Sequence, residues 1–79
     1  MHVAVEMSLY PLSDEFIPPI LDFIERLNAR PGLAVATNSM STQVSGEFDL
    51  VFDALRAEIA ATLAGSRRAV FVMKILGGG

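Results

Sequence analysis

Two-residue and helical hydrophobic rhythms alternate along this chain in an order that few folds accommodate: strand, helix, strand, strand, helix, strand. Residues 3–10 set Val3, Val5, Met7 and Leu9 on one face and Ala4, Glu6, Ser8 and Tyr10 on the other, the period of a half-buried strand. Pro11 ends it. Ser13-Asp14-Glu15 has the composition of a helix start. Pro18 and Pro19, however, lack N–H groups and restrict the residues before them, so the regular helix is expected from about residues 17–19. Ile20, Leu21, Ile24 and Leu27 then recur at helical spacing, with Asp22, Glu25 and Arg26 turned outward, until Arg30-Pro31-Gly32 stops the helix.

Residues 33–37 read as a short second strand and residues 40–45 as a third, with Asn38-Ser39 suited to the tight reversal of a hairpin. Gly46-Glu47-Phe48-Asp49 has the acids that favour a helix N-terminus, and Phe48, Phe52, Leu55, Ile59 and Leu63 form one apolar stripe behind it. Gly65 is placed to cap that helix. Residues 69–76 make an almost continuous apolar strand interrupted by Lys74, and Gly77-Gly78-Gly79 is expected to be a flexible tail beyond a single domain of residues 1–76.

Right-handed crossovers stack both helices on one face of a four-stranded antiparallel sheet of order 4-1-3-2. This is the ferredoxin-like α+β sandwich. Its other face stays open, and a chain of 79 residues with 52% apolar residues has more apolar surface than so small a core can hide. A homodimer or homotetramer through the open sheet face is therefore expected. The absence of cysteine, a formal charge of −3, a first apolar stretch interrupted by Glu6 and no apolar run of membrane-spanning length point to a cytoplasmic protein. Nucleic acid and membrane are not expected partners, since Arg67–Arg68 is the sole basic pair.

In this topology the end of the first strand and the hairpin between the second and third meet at one end of the sheet, so Ser8, Tyr10, Asn38, Ser39 and Ser41 converge. Alternation sets Ser41, Gln43 and Ser45 beside Glu6 and Ser8 on the open face. Amides and hydroxyls with one aromatic ring can hold an aminopyrimidine, and the Glu6 carboxylate can neutralise a cationic ring in a closed cleft. The plainer reading is a solvated sheet face, with Glu6 and Lys74 as a cross-strand ion pair. Thr42 points toward the helices, where its hydroxyl needs a backbone partner or lines a pocket near Phe16 and Phe48. Those phenylalanines, and Met7, Met40 and Met73, read more simply as core. His2 is the only histidine, and neither a catalytic triad nor a phosphate loop is legible, so no enzymatic activity, cofactor or metal is expected.

Ser8-Leu9-Tyr10-Pro11-Leu12 followed by Asp14-Glu15-Phe16-Ile17, and residues 37–46 running into Phe48-Asp49-Leu50-Val51-Phe52-Asp53, resemble the YkoF-type thiamine/hydroxymethylpyrimidine-binding family. The related family of single small thiamine-binding domains is similar more loosely. The resemblance covers nearly the whole chain. It implies a ferredoxin-like domain that binds thiamine or its hydroxymethylpyrimidine moiety without catalysis, in the service of thiamine uptake or salvage. The YkoF type carries two such domains in tandem, so a second half would come from another subunit. Within matching motifs the resemblance carries Ser8, Tyr10, Asn38, Ser39, Ser41 and Thr42 as ligand-binding positions, to which the residue reading adds Glu6. Two other readings compete: an oligomeric regulatory or interaction module binding a protein or another small metabolite, and a small dimeric enzyme using Glu6 as base.

Overall fold

The computed structural model describes residues 1–65 and 68–78. Arg67 of the basic pair and Gly79 of the glycine tail lie outside the described residues. The elements follow in the order β1 (His2–Pro11), α1 (Ile17–Asn28), β2 (Ala34–Thr37), β3 (Thr42–Glu47), α2 (Phe48–Gly65) and β4 (Ala69–Gly77). The sheet is antiparallel throughout with order β2-β3-β1-β4, the expected ferredoxin-like order read from the opposite edge. No helix among the described residues is long and apolar enough to cross a membrane.

Alternation in β1 buries Val3, Val5, Met7 and Leu9 under the helices, where they join Val44 from β3, Phe23 and Leu27 from α1, and Val51 and Leu55 from α2. Phe23 lies against Phe71 of β4 with ring centroids 5.2 Å apart, which ties α1 to the far side of the sheet. Pro18 and Pro19 open α1, where the missing N–H groups cost nothing because first-turn donors have no intrahelical acceptor.

Three local expectations are corrected. β3 begins at Thr42 rather than Met40 and runs through Gly46 and Glu47, because those residues pair with Val3 and His2 of β1. Glu47 still serves α2: its Oε2 accepts the N–H groups of Asp49 (2.9 Å) and Leu50 (3.2 Å). The buried face of α2 is Val51, Ala54, Leu55, Glu58 and Thr62, with Leu63 exposed, and in α1 Phe23 occupies the core while Leu21 faces solvent. The glycine run also continues the sheet: Gly77 closes β4 opposite Val3, and the Gly78 N–H donates to the His2 carbonyl.

Glu58 and Thr62 are buried because α1 supplies their partners. Arg26 Nε donates to Glu58 Oε1 at 2.7 Å, Arg30 Nε to Oε2 at 2.8 Å, and the Arg26 NH2 group to the Thr62 hydroxyl at 2.7 Å. Arg26, read from the sequence as outward-facing, instead bridges the two helices. Burial pushes the Glu58 carboxyl upward, but the hydrogen bonds from Arg30 and Arg26 and their positive charges outweigh it, holding the group below its ordinary value of 4.5.

Candidate functional site

Three segments converge at one end of the sheet: the exit of β1 from Ser8 to Leu12, the first turns of α1, and the β2–β3 hairpin. The hairpin is held by Asn38, whose side-chain oxygen accepts the N–H groups of Met40 (2.8 Å) and Ser41 (2.9 Å) while its own N–H donates to the Ser41 carbonyl. Ser8 donates its hydroxyl to the Met40 carbonyl at 3.1 Å, which pins the hairpin to β1.

Between the hairpin and α1 lies a pocket of about 520 Å³ on the helix side of the sheet. Met7, Leu9, Leu12, Phe16, Ile20, Phe23 and Ile24 make its apolar walls, and Ser8, Tyr10, Thr37, Asn38, Ser39, Ser41 and Thr42 complete the lining, with the Ser41 hydroxyl itself turned to Glu6 on the other face. None of its lining residues carries a formal charge at neutral pH. Thr42 is buried, and its hydroxyl lies 3.2 Å from that of Thr37, so a side chain rather than the backbone satisfies it. One hydroxyl of the pair donates to the other, which leaves one hydrogen and spare lone pairs directed by a fixed frame. Tyr10 is half exposed at the rim.

A second groove, of about 450 Å³, lies on the open face and shares Ser8, Tyr10, Asn38, Ser39, Met40 and Ser41 with the first. Glu6 lines only this one. Its Oε1 is 3.7 Å from Lys74 Nζ, directly across the β1–β4 ladder, and its Oε2 accepts the Ser41 hydroxyl at 3.3 Å. Of the seven residues expected at the site, six therefore line the helix-side pocket, and Glu6 stands on the opposite face, already engaged by an ammonium and a hydroxyl.

Two placements differ from expectation. Phe48 does not approach Thr42; it starts α2 at the far end of the sheet, donates its N–H to the Met1 carbonyl and stacks on Phe52 at 4.7 Å. Met7 is core, as expected, but Met40 is almost fully exposed on the hairpin, and Met73, on the helix side of β4, is 40% exposed rather than core. Thr37, Leu12, Ile20, Phe23 and Ile24 were missed as pocket residues. The available signal was the pair of threonines flanking the Asn38–Ser41 turn, which antiparallel pairing sets opposite each other.

The family model described as YKOF-related Family matches residues 2–74. Among solved structures, a protein from Streptococcus pneumoniae superposes with a TM-score of 0.92 at 20% identity, covering 100% of this chain and 89% of that one. A proposed thiamine biosynthesis/salvage protein from Thermotoga maritima gives 0.83 at 21% identity, covering 95% and 82%. A hypothetical protein from Methanocaldococcus jannascii gives 0.83 at 26% identity, covering 99% and 81%. No curated protein matches the chain.

Proposed function

This chain belongs to the YKOF-related family, and from that membership and the shape of the pocket we propose that it binds thiamine, or its hydroxymethylpyrimidine half, without transforming it. The carrying observation is a neutral, largely apolar cleft with a part-buried hydroxyl pair, Thr37–Thr42, set in its wall. Its volume falls within the ~300–1,000 Å³ usual for small-molecule sites. An aminopyrimidine needs apolar walls for its faces and a few fixed donors and acceptors for its edge. Phe16, Ile20 and Phe23 supply the former, and the threonine hydroxyls, the Ser39 hydroxyl and the free Asn38 amide N–H groups the latter.

Thiamine's cationic ring would sit at the rim, where the exposed face of Tyr10 can lie against it. A phosphate would find no cationic side chain among the lining residues, so the unphosphorylated vitamin suits the pocket better. The non-catalytic reading rests on the same inventory: Tyr10 is the only titratable side chain in the lining, and no carboxylate, imidazole or amine is there to move a proton. The structural similarity to the Thermotoga protein supports a place in thiamine uptake or salvage.

Titration calorimetry with thiamine, hydroxymethylpyrimidine and thiamine diphosphate tests this. Saturable binding of the first two, weakened about 5–10-fold by Thr42→Val through loss of one directed hydroxyl, is expected. Absence of saturation at millimolar ligand would sink the proposal, as would preference for the diphosphate.

A further inference from the structure

Among the polar residues lining the helix-side pocket, Thr42 alone is buried, at 6% exposure. Its place follows from the ladder. The Asn38 N–H donates to the Ser41 carbonyl, which makes Asn38 and Ser41 a hydrogen-bonded pair and Thr37 and Thr42, one step further in, a non-hydrogen-bonded pair. Side chains of such a pair stand closest together, and the two hydroxyl oxygens lie 3.2 Å apart. Among the described residues, neither hydroxyl has another hydrogen-bond partner.

A hydroxyl donates once and accepts twice. When Thr37 donates to Thr42, the pair presents a free hydrogen on Thr42 and free lone pairs on Thr37. When Thr42 donates to Thr37, donor and acceptor change places. The two side chains are chemically identical and either oxygen serves as the donor, so rotating both hydroxyls reverses the polarity of the pair without moving a heavy atom. Other polar groups of the lining are already committed. The Ser8 hydroxyl is spent on the Met40 carbonyl, the Ser41 hydroxyl on Glu6, and the Asn38 oxygen on its own turn. What remains of Asn38 is a donor on an exposed hairpin, where water can take the place of a ligand, and Ser39 beside it is an exposed hydroxyl that works both ways.

We propose, resting on the pyrimidine-binding reading above, that Thr37 and Thr42 form a reversible reader of a pyrimidine edge, so that the pocket takes 4-amino and 4-oxo pyrimidines alike. A 4-aminopyrimidine offers a donor on its exocyclic nitrogen beside an acceptor at ring N3. Its 4-oxo counterpart offers the reverse, an acceptor oxygen beside an N3–H. One direction of the threonine pair complements the first edge and the other direction the second, from the same heavy-atom positions. A site built on a carboxylate would match one edge and set like groups against each other at the other, the kind of mismatch by which hydrogen-bonding sites discriminate ~10⁴-fold. The ligand class is therefore a pyrimidine with an adjacent donor and acceptor in either order.

Titration calorimetry with thiamine and with its 4-oxo analogue tests this, because both carry the same cationic ring and differ only at the edge. Dissociation constants within ~10-fold of each other are expected. Thr42→Val should weaken both ligands by a similar factor. Thr37→Asp, at an exposed position of the edge strand β2, puts a group that only accepts into the pair. With folding checked by circular dichroism, it should move the ratio of the two constants by roughly 10-fold or more, in the direction that tells which ligand atom faces residue 37. Attraction between the added carboxylate and the cationic ring is common to both ligands and cancels in that ratio. Thiamine binding with the 4-oxo analogue more than ~10-fold weaker overturns the inference and leaves the thiamine reading standing. So does a ratio unmoved by Thr37→Asp, which would put the pyrimidine edge elsewhere. Saturation by neither ligand removes the thiamine reading itself and this inference with it.

Discussion

Replacing Glu58 by Gln keeps the shape of the side chain and removes its charge. In the native protein the two carboxylate oxygens accept from two different arginines, at 2.7 and 2.8 Å, and the residue is 8% exposed. A glutamine can accept from only one of them, and its NH2 group must face the N–H of the other. Each charge-assisted hydrogen bond contributes ~1.5–3 kcal/mol when buried, but Arg26 and Arg30 are about one-third exposed and regain water, so the net loss is about 2 kcal/mol. For a domain of this size that lowers Tm by roughly 8–16 °C.

The pH dependence separates this mechanism from a general packing defect. The folded-state pKa of Glu58 lies below its unfolded value, so the unfolded chain binds more protons in the interval between them. The stabilisation is fully present above the ordinary carboxyl value of 4.5 and is lost as pH falls through the lowered folded value. The variant has no such proton to take up. Urea unfolding followed by circular dichroism at pH 7, 5, 4 and 3, at one fixed protein concentration, should show a wide gap that narrows progressively as pH falls below 4.5. A gap under ~0.5 kcal/mol at pH 7, or one that persists unchanged to pH 3, would refute the charge-based account.

Two further substitutions probe the backbone and the site. Gly46 holds φ at +155°, and a Cβ there would meet the Gly32 carbonyl oxygen at 3.2 Å, so Gly46→Ala should destabilise by about 1–3 kcal/mol; an unchanged urea midpoint would show that the β3–α2 corner adapts freely. Glu6→Gln should leave thiamine affinity within ~2-fold by calorimetry, because Glu6 lines only the open-face groove; a loss comparable to that of Thr42→Val would place the ligand on that face instead.

The alternation of β1 and the sheet order were legible because period two is strong where one face is wholly apolar. Helix faces were harder. α2 is apolar on several sides, with Phe48, Leu50, Phe52 and Leu63 outside the buried stripe, so periodicity alone favoured the large residues over Ala54, Glu58 and Thr62. A glutamate becomes a core residue only when partners arrive from elsewhere in the chain, and Arg26 and Arg30 lie far from it in sequence. The Gly46–Glu47 step misled for a related reason: its strand character comes from pairing with His2 and Val3, and nothing local announces it. Convergence of Ser8, Tyr10, Asn38, Ser39 and Ser41 could be read because it follows from topology. What each atom is already doing could not. The Asn38 oxygen is consumed by its own turn, and only coordinates show that its amide N–H groups are what remain.

The two cavities share the hairpin and the end of β1 as a wall, and alternation sorts its hydroxyls between them: Thr42 turns its hydroxyl to Thr37 on the helix side, and Ser41 turns its own to Glu6. That sorting bears on where a thiamine-class ligand gains most. On the open face the carboxylate that would attract a cationic ring is already matched by Lys74 and Ser41, and a ligand there must displace those contacts in a solvated setting where they are cheap to keep. On the helix side no charge has to be displaced, the apolar walls are preformed, and the threonine pair has unused hydrogen-bonding capacity that water or a ligand must satisfy. A neutral aromatic edge therefore meets the smaller desolvation cost in the helix-side pocket.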